Sequence, residues 1–246
     1  MKAAIPSKKI TNNDPILAMK KNLSNFIKYL LDNFVPPILR DSKFFMHIPM
    51  ILAFGSRKKY FMEFKAKLPF LSKEEYQEYY NLLKDDHFQT ETDLNAKSLS
   101  VILENIIGKS VLDVGCGNGF LSRQIYEKYK IEVTGIDIIA PKDEDGITYL
   151  KGEAENIPFE NASFETVICS HTLEHIPDIL RAIKEIRRVA KKRIILVVPR
   201  EREYKYTFNL HVHFFPYSHS FHKLLNNKNA DCFICGTDIV YIENRI

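Results

Sequence analysis

The hydrophobic rhythm of the chain changes near residue 96. Ahead of that point apolar positions recur at helical spacing: Ile16, Met19, Leu23, Phe26, Ile27, Leu30 and Leu31 mark one amphipathic helix. It stops before Pro36-Pro37, because proline lacks an amide proton and crowds the preceding turn. Farther on, Ser72 and Glu75 have the spacing of a reciprocal helix cap, and Tyr76, Tyr79, Tyr80 and Leu83 form one stripe on the helix that follows. The stripe reads as the core of a helical cap.

From residue 97 helical and strand-like runs alternate. "SLSVILENI" is helical, "SVLDVG" a buried strand, "FLSRQIYEKY" a helix and "IEVTGIDI" a second strand. "ITYLKG" and "FETVICS" are the third and fourth strands; "DILRAIKEIRRVAK" is a helix with Ile179, Ile183, Ile186 and Ala190 inward; "RIILVVP" is the fifth strand. Such alternation predicts a parallel sheet wound by helices on both faces. After Pro199 a long polar and aromatic connection leads to a helical "SFHKLLNN", then to "CFIC" and "DIVYIE". Gly236-Thr237 between them suits a type II′ hairpin. The expected fold is α/β: a doubly wound, Rossmann-like, seven-stranded and mostly parallel sheet with an antiparallel last strand, behind an N-terminal helical cap. The expected domains are residues 1–95 and 96–246.

Composition narrows the function classes. With 45% hydrophobic and 27% charged residues over 246 positions the chain reads as folded and globular. A net charge of +4, from 35 basic against 31 acidic residues, is too small for nucleic acid unless the cations cluster. Arg57-Lys58-Lys59, Arg187-Arg188 and Lys191-Lys192-Arg193 read as solvated faces. No long apolar core follows the N-terminal lysines, so a secretory signal is not expected. The most apolar window, "FFMHIPMILAFG" at 44–55, is well short of the ~20 residues of a spanning helix and contains Pro49; burial in the cap is expected. Four cysteines give no disulfide framework, and Cys232-x-x-Cys235 lacks the second pair of a structural zinc site, so a cytoplasmic location is expected.

The stretch "VLDVGCGNGFLSRQIYEKY" at 111–129 carries the chemistry. A glycine-rich turn between strand and helix lets a ligand approach the main chain, with free amides at the helix start. The dinucleotide fingerprint G-x-G-x-x-G/A fails, because Phe120 stands where its third small residue belongs. The pattern is instead acid-x-G-x-G-x-G, with Asp113 expected to point into the site. A carboxylate there repels a pyrophosphate but suits an ammonium and a sulfonium. Asp137, ending "VTGID", is placed to accept from both hydroxyls of a ribose.

These residues resemble motif I and the ribose acid of the class I S-adenosylmethionine-dependent methyltransferases. The resemblance continues in "KGEAENIPFENASFETVICSHTLEHI" and covers residues 97 to about 199; residues 1–95 lie outside it. It implies S-adenosyl-L-methionine as cofactor. Gly115 and Gly117 would line its methionine part within the loop that Gly119 completes, Asp113 would lie near its amino group, and Asp137 would hold the ribose. Ile138 would pack on adenine. Glu153, where the family usually has Asp, would accept from the adenine amino group while the Ala154 N–H reaches a ring nitrogen, and Ser170 would offer backbone to the methionine end.

Methyl transfer needs a base only if the acceptor must lose a proton, and His171 and His175 are the candidates. In "HVHFFPYSHSFH", His211, His213, His219 and His222 have spacing that suggests metal ligands, since imidazoles two apart on a strand share a side. Similar segments in the family form a metal-free lid beside the acceptor pocket, and no metal is expected. No D/N-P-P-Y/F follows the fourth strand, which with the weak basic excess argues against a DNA base. The expected activity is O-methylation of a small molecule or a sugar-linked surface-glycan precursor, with no nucleic acid and no membrane span, in a chain that could form a homodimer. Alternatives are N-methylation of a small metabolite and a non-catalytic cofactor-binding scaffold. A polyamine-synthesis reading wants further acids beside the acceptor; the segment offers only Glu174, expected to turn into the helix.

Overall fold

The computed structural model describes residues 30–31, 34–83 and 92–245. Its contacts separate two compact units, residues 1–90 with 204–210, and residues 91–203 with 211–246. The division expected after residue 95 thus falls after residue 90, and 204–210 go with the first unit.

In the first unit the helix expected over Ile16 to Leu31 lies outside the described residues except for Leu30 and Leu31, which are helical. Among the described residues four α-helices follow: α1 (Pro37–Arg40), α2 (Lys43–Phe54), α3 (Lys58–Lys67) and α4 (Lys73–Leu83). The cap on α4 closes reciprocally, the Glu75 amide donating to Ser72 Oγ over 3.2 Å and the Ser72 amide to Glu75 Oε2 over 2.8 Å. Tyr76 and Tyr79 pack on Phe64 as a core stripe should. The Tyr80 and Leu83 side chains lie outside the described set. Segment 204–210 belongs here because the buried Arg40 guanidinium stacks 3.2 Å over the Tyr204 ring and Lys65 Nζ donates to the Tyr204 carbonyl. The apolar window is α2, and its burial is one-sided: Met46 and Met50 are enclosed, whereas Phe44 is 88% and Leu52 63% exposed. Among the described residues no helix is long and apolar enough to cross a membrane.

The second unit opens with α5 (Ala96–Glu104), capped by Asn95, whose Oδ1 accepts from the Lys97 and Ser98 amides. Then come β1 (Ser110–Val114), α6 (Phe120–Tyr129), β2 (Glu132–Asp137), β3 (Ile147–Lys151), β4 (Phe164–Ser170), α7 (Ile179–Val189), β5 (Ala190–Pro199), α8 (Ser218–Leu225), β6 (Asp231–Cys235) and β7 (Asp238–Asn244). The seven strands lie in the order β3-β2-β1-β4-β5-β7-β6, parallel through β5, with β7 antiparallel to both β5 and β6. The expected fold is present. Between β6 and β7, Gly236 takes φ +62° while Thr237 keeps a negative φ, as a II′ turn requires.

Two apolar layers cover the sheet. One packs α7 and α8 through Ile179, Ile183, Ile186, Phe221 and Leu225; the other packs α5 and α6 through Ile102, Leu121 and Ile125. Ala190, expected on the inward face of the helix, instead begins β5, because the helix ends at Val189. Cys232 joins the first layer and Cys235 the second, since residues three apart on a strand face opposite sides. That removes Cys232-x-x-Cys235 as a shared ligand pair, and all four cysteines are free.

Arg187-Arg188 are not the solvated face the sequence suggested. Arg187 Nη2 lies 2.7 Å from Glu243 Oε2, on a carboxylate only 2% exposed, and Arg188 donates to Glu185 and to the Ile157 and Phe159 carbonyls. A basic pair on the last turn of a helix can turn inward when an acid on a neighbouring strand meets it.

Candidate active site

Chain order reverses across β1, which lies between β2 and β4, so the carboxyl ends of these three strands open a crevice at the switch point. The loop after β1 is stitched to β2: the Gly115 and Cys116 amides both donate to the Ile136 carbonyl, and the Gly117 amide donates to Asp137 Oδ2 over 3.0 Å. At Gly117 the backbone has φ +55° and a Cβ would meet nothing within 4 Å, which leaves bare main chain facing open space. At Gly115 a Cβ would collide with Thr172, whose hydroxyl lies within reach of the Gly115 and Ser170 carbonyls. Gly119 starts α6 against the Tyr149 hydroxyl.

Asp137 is half-buried and also accepts from the Ile139 amide over 2.9 Å. Burial raises its pKa, partly offset by the two amides it holds. The Gly152 amide donates to the Asp137 carbonyl over 3.0 Å, which brings Glu153 and Ala154 beside the end of β2; both are half-buried, as is Ile138. Ser170 is half-buried at the end of β4.

Asp113, expected to point into the site, is enclosed. It is 1% exposed, and Oδ2 accepts from Ser122 Oγ on α6 over 2.7 Å, behind the glycine loop. β1 is a central strand of a doubly wound sheet with helices over both faces, so its side chains are enclosed. Burial pushes the pKa up to about 6, with the Ser122 hydrogen bond opposing the shift and the Asp137 charge adding to it.

Beyond β4 the chain turns sharply. His171 takes φ +48°, its amide donates to the Val197 carbonyl, and its imidazole lies between two buried acids: Nδ1 is 3.6 Å from Glu174 and Nε2 is 3.3 Å from Asp238. Burial disfavours the imidazolium, but the two carboxylates outweigh it and the pKa is raised. Glu174, expected to turn into a helix, lies in the 3₁₀ turn Leu173–His175 and is 1% exposed, with no hydrogen bond to either carboxylate oxygen. Burial raises its pKa, with the neighbouring His171 and His211 opposing the shift.

The histidine-rich segment disperses. His213 Nε2 contacts the Ile176 carbonyl, His222 Nε2 the Asn227 carbonyl, and His219 stacks on Tyr217. His211 instead turns edge-on to His175, with ring centroids 4.7 Å apart, while its Nδ1 lies 2.8 Å from Glu201 Oε2. The Val212 and His213 amides both donate to the Glu174 carbonyl and fix this segment against the turn. Sequence reasoning thus missed Glu174, Glu201, Asp238 and Thr172 as neighbours of the predicted histidines. Glu174 and Thr172 stood within the quoted "SHTLEHI"; nothing local marked Glu201 or Asp238.

The strand order and the glycine loop bound to the acid ending β2 define a class I S-adenosylmethionine-dependent methyltransferase domain. Residues 112–198 match the family described as "Methyltransferase domain". It is 32% identical over 112 residues to a ubiquinone biosynthesis O-methyltransferase of Vibrio campbellii, covering 40% of this chain and 47% of that protein. It is 32% identical over 96 residues to a phthiotriol/phenolphthiotriol dimycocerosates methyltransferase of Mycobacterium leprae, covering 34% of this chain and 36% of that protein. The chain thus spans less than half the length of these curated relatives. A solved SAM-dependent methyltransferase from Thermotoga maritima shares the fold, with TM-score 0.51 and 17% identity over 70% of this chain and 99% of that one.

Proposed function

We propose that this chain transfers the methyl group of S-adenosylmethionine to an oxygen of a small-molecule or sugar-linked acceptor. The observation that carries this reading is the bare main chain at Gly117, open where a side chain would stand and tied to the Asp137 carboxylate. The residues fit the cofactor. Asp137 accepts two amides and, as a carboxylate with about four lone-pair sites, keeps capacity for ribose hydroxyls. Gly115 and Gly117 would border the methionine part, Ile138 and Ala154 the adenine, Glu153 the adenine amino group, and Ser170 the methionine end. Asp113 would act one layer behind, holding Ser122 and with it the start of α6.

When bound, the cofactor supplies an electrophilic methyl group on a sulfonium, and alignment is the main task left to the protein. The relatives' names favour oxygen as the acceptor atom. An alcohol must also lose a proton. His175, whose side chain is 23% exposed, is better placed to take it than His171, at 15% and between two acids that stabilise its charged form.

Calorimetric titration of the full chain with S-adenosylmethionine and with its demethylated product tests the reading. Micromolar binding that Asp137→Ala loses is expected, followed by transfer of a labelled methyl group to hydroxyl compounds. A folded wild-type protein that binds neither ligand overturns it.

A further inference from the structure

We propose that Glu174, His175 and His211 form a binding site for one divalent transition-metal ion of the zinc class, with Glu201 orienting His211 from behind. The site shares His175 with the methyl-transfer reading, whereas Glu174, His211 and Glu201 have no part in it.

The first ground is the state of Glu174. Its carboxylate is 1% exposed and makes no hydrogen bond, although burying an unsatisfied charge is among the costliest arrangements in a protein. The nearest ring nitrogens stand at ion-pair distance, 3.6 Å on His171 and 4.0 Å on His175, and neither donates a hydrogen bond to it.

The second ground is the spacing. One donor atom from each of Glu174, His175 and His211 can be chosen so that all lie within 4.8 Å of one another. Ligand bonds of about 2.0–2.2 Å put neighbouring donors roughly 3–4 Å apart around a zinc-class ion, so small side-chain rotations suffice to close the set. Two imidazoles and a carboxylate favour such an ion over magnesium or calcium, which prefer all-oxygen shells. Three protein ligands leave a fourth position open.

The third ground is the support around His211. Glu201 Oε2 lies 2.8 Å from Nδ1, so that nitrogen carries the proton and Nε2 presents its lone pair, the pattern by which a carboxylate behind a histidine prepares it as a ligand. The backbone holds the same alignment, because the Val212 and His213 amides both end on the Glu174 carbonyl. His175 cannot act as a base while its nitrogen is on the ion, so metal occupancy also decides between its two roles.

The test uses the full chain stripped with a chelator and dialysed. Calorimetric titration with zinc chloride is expected to give one equivalent bound, and cobalt(II) in its place should show the visible absorption of a low-coordinate site. His211→Ala should abolish that equivalent, and Glu201→Gln, which removes no ligand, should weaken it about 10- to 100-fold. Cys232→Ser should leave it intact. Circular dichroism confirms that each variant is folded, and Glu201→Gln serves if His211→Ala is not. A folded wild-type chain that takes up no stoichiometric zinc overturns the proposal; so does binding that Glu201→Gln and His211→Ala leave unchanged, or that Cys232→Ser removes.

Discussion

At Gly117 a φ of +55° combines with open space, so any side chain there adds both strain and an obstacle. Left-handed backbone costs a non-glycine residue about 1–2 kcal/mol. Gly117→Val is therefore expected to lower the melting temperature by a few degrees and cofactor affinity by at least tenfold; titration and a thermal melt of one preparation separate the two effects. Unchanged affinity would remove Gly117 from the cradle. Asp113 makes a different prediction. Its pKa is about 6 when folded against an ordinary 3.8, so the folded state holds this proton more tightly. The associated stability is fully present below about pH 4 and is lost as pH rises through about 6. Asp113→Asn should erase that dependence and gain on the wild type by up to about 3 kcal/mol between pH 4 and pH 7, read from urea unfolding at each pH. A difference that stays flat with pH would mean that the carboxylate titrates normally.

Among the elements, α7 is locked to the last strand by Arg187 on Glu243, which also accepts from the Tyr241 hydroxyl over 2.6 Å and pairs with Arg245. Burial raises the Glu243 pKa, but Arg187 and Tyr241 outweigh it and the net shift is downward. The linkage has the opposite sign to that of Asp113: the stabilisation is present above the ordinary glutamate pKa and disappears as pH falls through the depressed one. Breaking such a pair leaves a half-buried guanidinium without its carboxylate, so Glu243→Gln should cost about 3 kcal/mol near neutral pH and much less in acid. Chemical denaturation at both pH values measures it. At the surface, Ser72→Ala removes half of the reciprocal cap on α4 and should cost about 1 kcal/mol of helix stability, detectable as lost far-ultraviolet dichroism on mild heating.

At the scale of the whole molecule, binding to one of two compact units should be felt unequally. A ligand at one hundred times its dissociation constant stabilises the unit that binds it by about 2.7 kcal/mol. In a calorimetric melt S-adenosylmethionine should raise the transition of the unit spanning 91–203 and 211–246, and Asp137→Ala should abolish the shift. The outlines of that unit were legible in advance. Period-two and period-3.6 runs act over a few neighbouring residues, so the seven strands, the II′ turn and the cap at Ser72 could be read directly. The end of α7 could not: Ala190 fits an inward helical position as well as a first strand position, and pairing with Phe164 on β4 selects the latter.

The sequence alone determined the alternation of elements, the glycine loop with its acid-x-G-x-G-x-G spacing, and the acid ending β2, because each depends on residues close together in the chain. Tertiary structure alone decided that Asp113 faces inward against Ser122, that Arg187 leaves solvent for Glu243, and that His211 abandons its neighbouring histidines for His175, Glu174 and Glu201. Each of these rests on segments brought together by the winding of the sheet. A histidine's partners are set by which loops converge at the strand ends, and local spacing carries no record of that convergence.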